Sequence, residues 1–175
     1  MKNVLLVGLI NEDLKKIGLA LSCKLDYFYL NTEDMLSYSI LDRIEMERVC
    51  GADYLSNEEK KIIYNLNGYE NTIISMTNET FSNNYDVISS NNNVIYLRLT
   101  QKQFVKRIDE LENSGIDDDF LNNYELTKIV FNERDKYLKK SSNITFNYDM
   151  MKLDDVVNNL EKLITGWTWK LNKKQ

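Results

Sequence analysis

The residues that could support chemistry begin at the first glycine of the chain. Gly8 follows an apolar run, Val4 to Val7, and precedes a predicted helix from Leu14 to Lys24. A strand, a glycine-containing turn and a helix can bind phosphate, because backbone N–H groups at the helix start point toward an anion. The residues around this turn are nevertheless mostly charged or amide side chains, namely Asn11, Glu12, Asp13, Lys15 and Lys16.

Two carboxylates at this turn oppose phosphate binding. Glu12 and Asp13 lie at the positive end of the helix dipole, where they satisfy the dipole themselves and repel an incoming polyphosphate. At ~4 Å and an effective dielectric of about 20, each repulsion is about 4 kcal/mol before screening by salt. We therefore expect the turn to be closed to phosphate.

Composition excludes several kinds of site. The 175 residues contain no histidine, so acid–base or metal chemistry would depend on carboxylates, lysine, tyrosine or cysteine. This excludes Ser/His/Asp hydrolases and most zinc enzymes, and we expect no metal site. The two cysteines, Cys23 and Cys50, belong to no CxxC pattern, and we expect them to be buried reduced thiols.

Charge and hydropathy limit the classes of binding partner and the cellular location that we expect. The net charge is −5 and the basic residues are scattered among acids, which argues against nucleic acid and anionic membrane as partners. The apolar start of the chain is too short for a signal peptide or a membrane span. A cytoplasmic location is the resulting expectation.

Short apolar runs alternate with amphipathic stretches along the chain, which predicts a parallel sheet in one domain. Thr100 can cap a further helix, and Asn113 to Asp119 is expected to be a loop. Gly166 is expected to end the last helix, leaving residues 166–175 as a tail whose two tryptophans pack on the domain or contact a partner. Strands are predicted at 4–7, 27–30, 72–75, 94–99 and 143–146, and helices at 14–24, 33–49, 57–66, 120–139 and 153–164.

The order and spacing of these elements resemble the shikimate kinase family over about residues 2–165. KNVLLVG and Ile17-Gly18 match the framework of that family's phosphate loop, VIYLRLTQKQFVKRI its fourth strand and next helix, and NERDKYLKKSSNITF a late substrate-binding segment. The resemblance implies a three-layer α/β/α fold of P-loop type, with helices on both faces of a five-stranded parallel sheet. It also implies a domain over 1–165, a lid-like loop near 113–120 and a substrate-binding helical region near 33–66.

The resemblance further assigns catalytic positions, and several of them hold other residue types here. The second glycine of the pattern GxxxxGK[ST] is Asp13, the lysine is Leu14, and the Mg²⁺-binding Ser or Thr is Lys15. A slip of one residue would make Lys15 the catalytic lysine and place Lys16 at the metal position. Two solvated lysines on the helix surface are the simpler interpretation.

The family's substrate and metal groups are also replaced. Glu33 and Asp34 follow the second strand and are expected to stabilise a helix start capped by Asn31 or Thr32, with Asp34 as an alternative catalytic carboxylate. Leu30-Asn31-Thr32 stands in place of the family's Asp-x-Asp, Tyr54-Leu55-Ser56 in place of Gly-Phe-Arg, and Met76-Thr77-Asn78-Glu79 in place of the glycine turn. In the lid, where the family has an arginine, this chain has Asp117 to Asp119.

Two arginines remain at family positions. Arg107 corresponds to the arginine that stacks on adenine, and Arg134 to the one that binds the substrate carboxylate. The alternative for Arg107 is a charge on the helix surface, and for Arg134 a structural ion pair with a nearby acid.

The sequence therefore predicts a noncatalytic shikimate kinase-like protein with a binding, scaffolding or regulatory role and no cofactor. Its partner would be an unknown protein or a small anionic ligand. One alternative is a divergent ATP-dependent kinase that uses Mg²⁺ and phosphorylates a small molecule, such as shikimate to shikimate 3-phosphate. Another is a small-ligand-binding protein in which Arg134 meets a carboxylate and tyrosines form apolar walls, the candidates being Tyr54, Tyr64 and Tyr137.

Overall fold

Five parallel strands form the centre of the fold. The computed structural model describes residues 3–37, 43–66, 68–89, 92–113 and 124–172. The strands lie in the order β2-β3-β1-β4-β5, and all four neighbouring pairs are parallel. The expected five-stranded parallel sheet is thus confirmed. Its strands are β1 (Val4–Gly8), β2 (Phe28–Asn31), β3 (Thr72–Thr77), β4 (Asn93–Arg98) and β5 (Ile144–Asn147).

Helices cover both faces of the sheet. Those described are α1 (Asn11–Leu25), α2 (Thr32–Ser37), α3 (Arg43–Cys50), α4 (Ala52–Leu66), α5 (Asn78–Asn83), α6 (Tyr85–Ser89), α7 (Gln101–Asn113), α8 (Tyr124–Ser141) and α9 (Leu153–Asn172). The core on one face includes side chains of α1 and α9, and the core on the other includes side chains of α4, α5, α6 and α8. None of the described helices is long and apolar enough to cross a membrane.

Strand β1 shows why the sheet is buried on both faces. Its side chains alternate, with Val4 and Leu6 in the core beside α1 and α9, and Leu5 and Val7 in the opposite core. All four are at most 2% exposed. A continuous apolar run is what a central parallel strand requires, because successive side chains point to opposite faces and both are covered.

Two expectations about single residues were wrong. Both Cys23 and Cys50 are free thiols, but they are exposed rather than buried, because they lie on outward positions of α1 and α3. Helix α9 does not end at Gly166 but continues to Asn172. Gly166 keeps a helical backbone, since Gly51 has the only positive glycine φ among the described residues.

Other boundaries differ where the pattern is short or lies outside the described residues. The stretch predicted as one helix from Glu33 to Val49 contains α2 and α3, separated by residues 38–42, which lie outside the description. Helices α5 and α6 were not predicted, because six and five residues are too few to show a helical period. The lid-like loop, including Asp117 to Asp119, and the tail side chains from residue 167 onward also lie outside the description.

Helix α1 packs closely on β2 at a glycine. A β-carbon added at Gly18 would lie 2.5 Å from Cε2 of Tyr29, a distance at which an atom must move. The Tyr29 ring has little freedom to move, because its hydroxyl is 2.7 Å from Oγ of Ser75 on β3. Gly18 therefore sets how near α1 lies to the sheet.

We expect Gly18→Ala to destabilise the fold by about 1–2 kcal/mol, since overpacking outweighs the gain in helix propensity. Gly166→Ala is the matched control, because a β-carbon there meets nothing within 4 Å and α9 continues through it. That variant should be stabilised by up to about 1 kcal/mol. Urea unfolding of both variants measures the difference, and equal effects would contradict the packing argument.

A buried carboxylate joins α8 to β4. Asp135 accepts hydrogen bonds from Nε of Arg98 at 2.7 Å, from Nζ of Lys139 at 2.7 Å and from the Tyr96 hydroxyl at 3.0 Å. Burial alone would raise the pKa of Asp135, but these three hydrogen bonds outweigh it and the pKa is lowered. Burial is also the main reason that the pKa of Tyr96 is raised. The carboxylate is therefore a charged anchor of the folded state.

Acid should weaken this anchor. Because the folded pKa of Asp135 lies below its ordinary value of 3.8, its contribution is complete above that value and is lost as the pH falls through the folded pKa. We expect Asp135→Asn to be less stable than the parent near neutral pH, and the difference to shrink below about pH 4. Urea unfolding from about pH 7 to about pH 3 tests this, with Asp86→Asn on the surface of α6 as the net-charge control.

Candidate functional site

The connection between β1 and α1 is short. Only Leu9 and Ile10 separate the end of β1 at Gly8 from the first helical residue, Asn11. Ile10 is the N-cap residue, with extended backbone angles and no side-chain hydrogen bond to the helix. The first turn of α1 contains Glu12 and Asp13, so two carboxylates meet the positive end of the helix.

Leu14 fills the space inside this turn. Its side chain is 1% exposed and belongs to the core with Val4, Leu6 and Leu97. A β-carbon added at Gly8 would lie 3.3 Å from Cδ2 of Leu14 and 3.2 Å from the carbonyl oxygen of Leu97. The turn is thus packed against an apolar side chain at the position where the P-loop pattern has a lysine.

Asp13 is held by side chains from two other parts of the fold. Nε and Nη2 of Arg107 on α7 donate to Asp13 Oδ1 at 3.0 and 2.8 Å, and the hydroxyl of Tyr148 after β5 donates to Oδ2 at 2.9 Å. The hydrogen bond to Asp13 raises the pKa of Arg107, and burial, with the Asp13 charge, raises the pKa of Tyr148. We call Asp13, Arg107 and Tyr148 the Asp13 clamp.

Lys15 points to the other side of α1. Its Nζ lies 2.6 Å from Oδ1 of Asp34 at the start of α2. Burial acts to lower the pKa of Lys15, but the Asp34 hydrogen bond and charge outweigh it and the pKa is raised. The backbone N–H of Asp34 donates to Oδ1 of Asn31 at 2.9 Å, so Asn31 caps α2, as one of the two expected caps.

Buried polar side chains connect α1 with β2 and β3. Nδ2 of Asn31 donates to Oγ of Ser75 at 2.7 Å and to Oδ1 of Asn11 at 3.2 Å. With the Tyr29 hydroxyl on the same Ser75, these groups satisfy one another beneath the turn. No local sequence pattern indicates this network, because its members lie on three separate elements.

The carboxyl end of β3 is filled by side chains. Met76 is completely buried, and the hydroxyl of Thr77 donates to Oε1 of Glu33 at 3.0 Å. The Thr80 hydroxyl lies 3.3 Å from Oε1 of Glu59, which is 2% exposed. These residues lie around the turn where the family pattern has three glycines. Within the described ranges, no three acidic or cysteine side chains group as metal ligands.

Arg134 lies in this second region and not in the Asp13 clamp. Its Nη2 donates to Oε1 of Glu79 on α5 at 2.8 Å, an ion pair with a nearby acid. Of the three tyrosines considered as apolar walls, Tyr54 and Tyr64 are exposed on α4. Tyr137 instead packs edge-on against Phe81 and Tyr85 in the core.

An open cleft of about 290 Å³ lies on the outer side of the Asp13 clamp. All three clamp residues line it, together with Lys16 and a set of apolar side chains from α1, α9 and the segment after β5. Two of those apolar side chains are consecutive methionines, Met150 and Met151. Of the candidate site residues that the structure describes, Asp13, Lys16 and Arg107 line this cleft.

The Asp13 clamp should be energetically coupled. A double-mutant cycle with Asp13→Asn and Arg107→Met is expected to give a coupling energy of about 1–2 kcal/mol, because the two side chains are only 12% and 26% exposed. The pair Glu45 and Arg48 on α3, whose side chains are 47% and 74% exposed, is the control, and its cycle should give a coupling indistinguishable from zero. Equal couplings for the two pairs would contradict a structural role for the clamp.

Comparison with known proteins identifies the family. The shikimate kinase family model matches residues 15–165 of this chain, whereas no curated protein matches its sequence. The shikimate kinase from Acinetobacter baumannii in complex with shikimate is 14% identical with a TM-score of 0.79, covering 95% of this chain and 94% of that chain. The shikimate kinase from Aquifex aeolicus is 17% identical with a TM-score of 0.74, and the match covers 95% of this chain and 98% of that chain.

A gluconokinase from Sinorhizobium meliloti is 11% identical with a TM-score of 0.64, and the match covers 99% of this chain and 98% of that chain. These structural similarities show the same kinase fold. The family model itself covers most of the chain. The chain belongs to the shikimate kinase family, with the P-loop kinase fold.

Proposed function

We propose that this chain is a noncatalytic member of its family that binds a small anionic ligand or a protein partner and does not transfer phosphate. The observation that carries the proposal is the Asp13 carboxylate at the start of α1, held by Arg107 and Tyr148. In this position the protein supplies its own anion to the helix terminus and to the nearest arginine.

The residues present at the turn do not fit a triphosphate. A phosphate loop needs room for backbone N–H groups to surround the anion and a lysine ammonium beside it. Here the connection is two residues long, and Leu14 is buried against Gly8. An incoming phosphate would also meet the charge of Asp13. Each of these features disfavours ATP at this turn.

Two of the cations near the turn are already engaged. Arg107 bonds to Asp13 and to Glu110, and Lys15 pairs with Asp34. To bind phosphate, Arg107 or Lys15 would have to leave a carboxylate that is partly buried with it, which leaves that carboxylate uncompensated. The catalytic-lysine alternative for Lys15 is therefore weak on the geometry as well as on the sequence.

The region where the family binds its substrate supports the same proposal. Arg134, the remaining candidate for a substrate carboxylate, pairs with Glu79, and Met76 fills the region of the family's glycine turn. A small-ligand site built on Arg134 would require a ligand carboxylate to compete with Glu79. We therefore place the proposed ligand elsewhere.

The second candidate function is a divergent ATP-dependent kinase for a small molecule such as shikimate. Family membership favours it, because the match extends over residues 15–165. It requires a phosphate site that the turn between β1 and α1 does not offer. A direct binding measurement separates the two functions.

We expect the melting temperature to stay unchanged in Mg-ATP or Mg-ADP, with or without shikimate. At about 10 mM, roughly ten times the upper end of ordinary KM values, a nucleotide that binds the native state should stabilise it by about 1.4 kcal/mol. That corresponds to a rise of about 3–6 °C for a chain of this size. Differential scanning fluorimetry measures the shift.

An active shikimate kinase in the same titration is the positive control. ADP release from Mg-ATP and shikimate, measured with a coupled assay, is the second readout. A melting shift of that size together with shikimate-dependent ADP release would replace the noncatalytic proposal with the kinase alternative.

A further inference from the structure

We propose that the open cleft beside the Asp13 clamp binds a small monoanion with an apolar or aromatic body. The negative group would pair with Lys16, and the apolar body would lie on Met150, Met151 and Leu153. This inference deepens the proposed binding role and rests on it.

The charges of the cleft favour one negative group. Among the described residues that line it, three are cationic, Lys16, Lys106 and Arg107, and two are acidic, Asp13 and Glu110. Both acids already receive bonds from Arg107, and Lys106 lies 3.4 Å from Glu110. One positive charge is left over in a chain of net charge −5.

Lys16 carries that remaining charge. Its side chain is exposed, and it forms no ion pair with any residue in the described part of the chain. A single ammonium group can hold a carboxylate or sulfonate. It is too little for a polyphosphate, whose further charges would face Asp13.

The apolar side of the cleft suits a hydrocarbon or aromatic body. Ile17 and Val156 form buried parts of the wall, and Leu99, Leu153 and the two methionines complete it. Met150 is 78% exposed, which is a large apolar surface to leave in water. Methionine side chains adapt to the shape of a bound group. The volume of about 290 Å³ is at the small end of ligand pockets.

The segment that presents the methionines is held in a fixed shape. The N–H of Tyr148 bonds to the carbonyl of Arg98, the N–H of Thr100 bonds to Oδ1 of Asp149 at 2.7 Å, and the N–H of Met151 bonds to the carbonyl of Tyr148. Met150 has a φ of 57°, a left-handed conformation that is uncommon for residues with a side chain. Local strain of this kind is concentrated at binding sites.

The test uses two fluorescent probes of one skeleton on the full chain. The anion 1-anilinonaphthalene-8-sulfonate carries a sulfonate, and N-phenyl-1-naphthylamine is the same ring system without it. We expect the anion to bind one site more tightly than the neutral probe. The substitution Lys16→Gln should weaken binding of the anion by at least about threefold and leave the affinity for the neutral probe unchanged. Lys60→Gln, on the exposed side of α4, is the matched control and should change neither.

Two results would overturn the cleft assignment. They are the absence of saturable binding of the anion, or binding that Lys16→Gln and Lys60→Gln leave equally strong. If Mg-ATP displaces the anion and raises the melting temperature, the cleft is a nucleotide site and the monoanion assignment fails, and shikimate-dependent ADP release in addition would overturn the noncatalytic function. If Mg-ATP leaves the melting temperature unchanged and the anion does not bind, only the cleft assignment fails.

Discussion

The Asp13 carboxylate is the interaction on which the arrangement of the site depends. It joins the first turn of α1 to Arg107 on α7 and to Tyr148 after β5, groups that follow the three adjacent strands β1, β4 and β5. A carboxylate that is mostly buried needs an opposite charge and hydrogen bonds to compensate for lost water. Here Arg107 supplies the positive charge and the Tyr148 hydroxyl donates a hydrogen bond. Because these partners come from different elements, neutralising one charge also fixes the walls of the adjacent cleft.

The need to compensate the buried charge of Asp13 also explains how the family's fold can carry a different role. A phosphate loop offers an anion site that stays open until a ligand arrives, whereas in the proposed function the anion is part of the chain. An internal anion is always present at full effective concentration, so a competing phosphate would have to displace it and leave Arg107 or Asp13 without its partner. Leu14 adds a packing obstacle to this electrostatic one, and the two act together and not as independent sums.

Local patterns predicted the framework, and contacts distant in sequence decided the rest. The burial of the strand at Val4 to Val7 and a cap of α2 at Asn31 or Thr32 follow from neighbouring residues, and the structure selects Asn31. Tyr148 lies 135 positions from Asp13, and no local pattern indicates such a contact. Gly166 was misjudged because a helix can retain a glycine without a positive φ, and Cys23 because residue type does not fix which side of a helix is covered.

The distribution of charge links the clamp to the proposed ligand. Asp13 engages Arg107, Arg107 also engages Glu110, and Glu110 in turn lies near Lys106. This chain of pairs consumes the two acids and leaves Lys16 as the unmatched cation among the charged residues lining the cleft in the described part of the chain. If Asp13 were instead the glycine of the phosphate-loop pattern, Arg107 would be available and the cleft would carry a second surplus positive charge. In the proposed function, the residue that disfavours phosphate at the turn therefore also limits the neighbouring cleft to a ligand with a single negative charge.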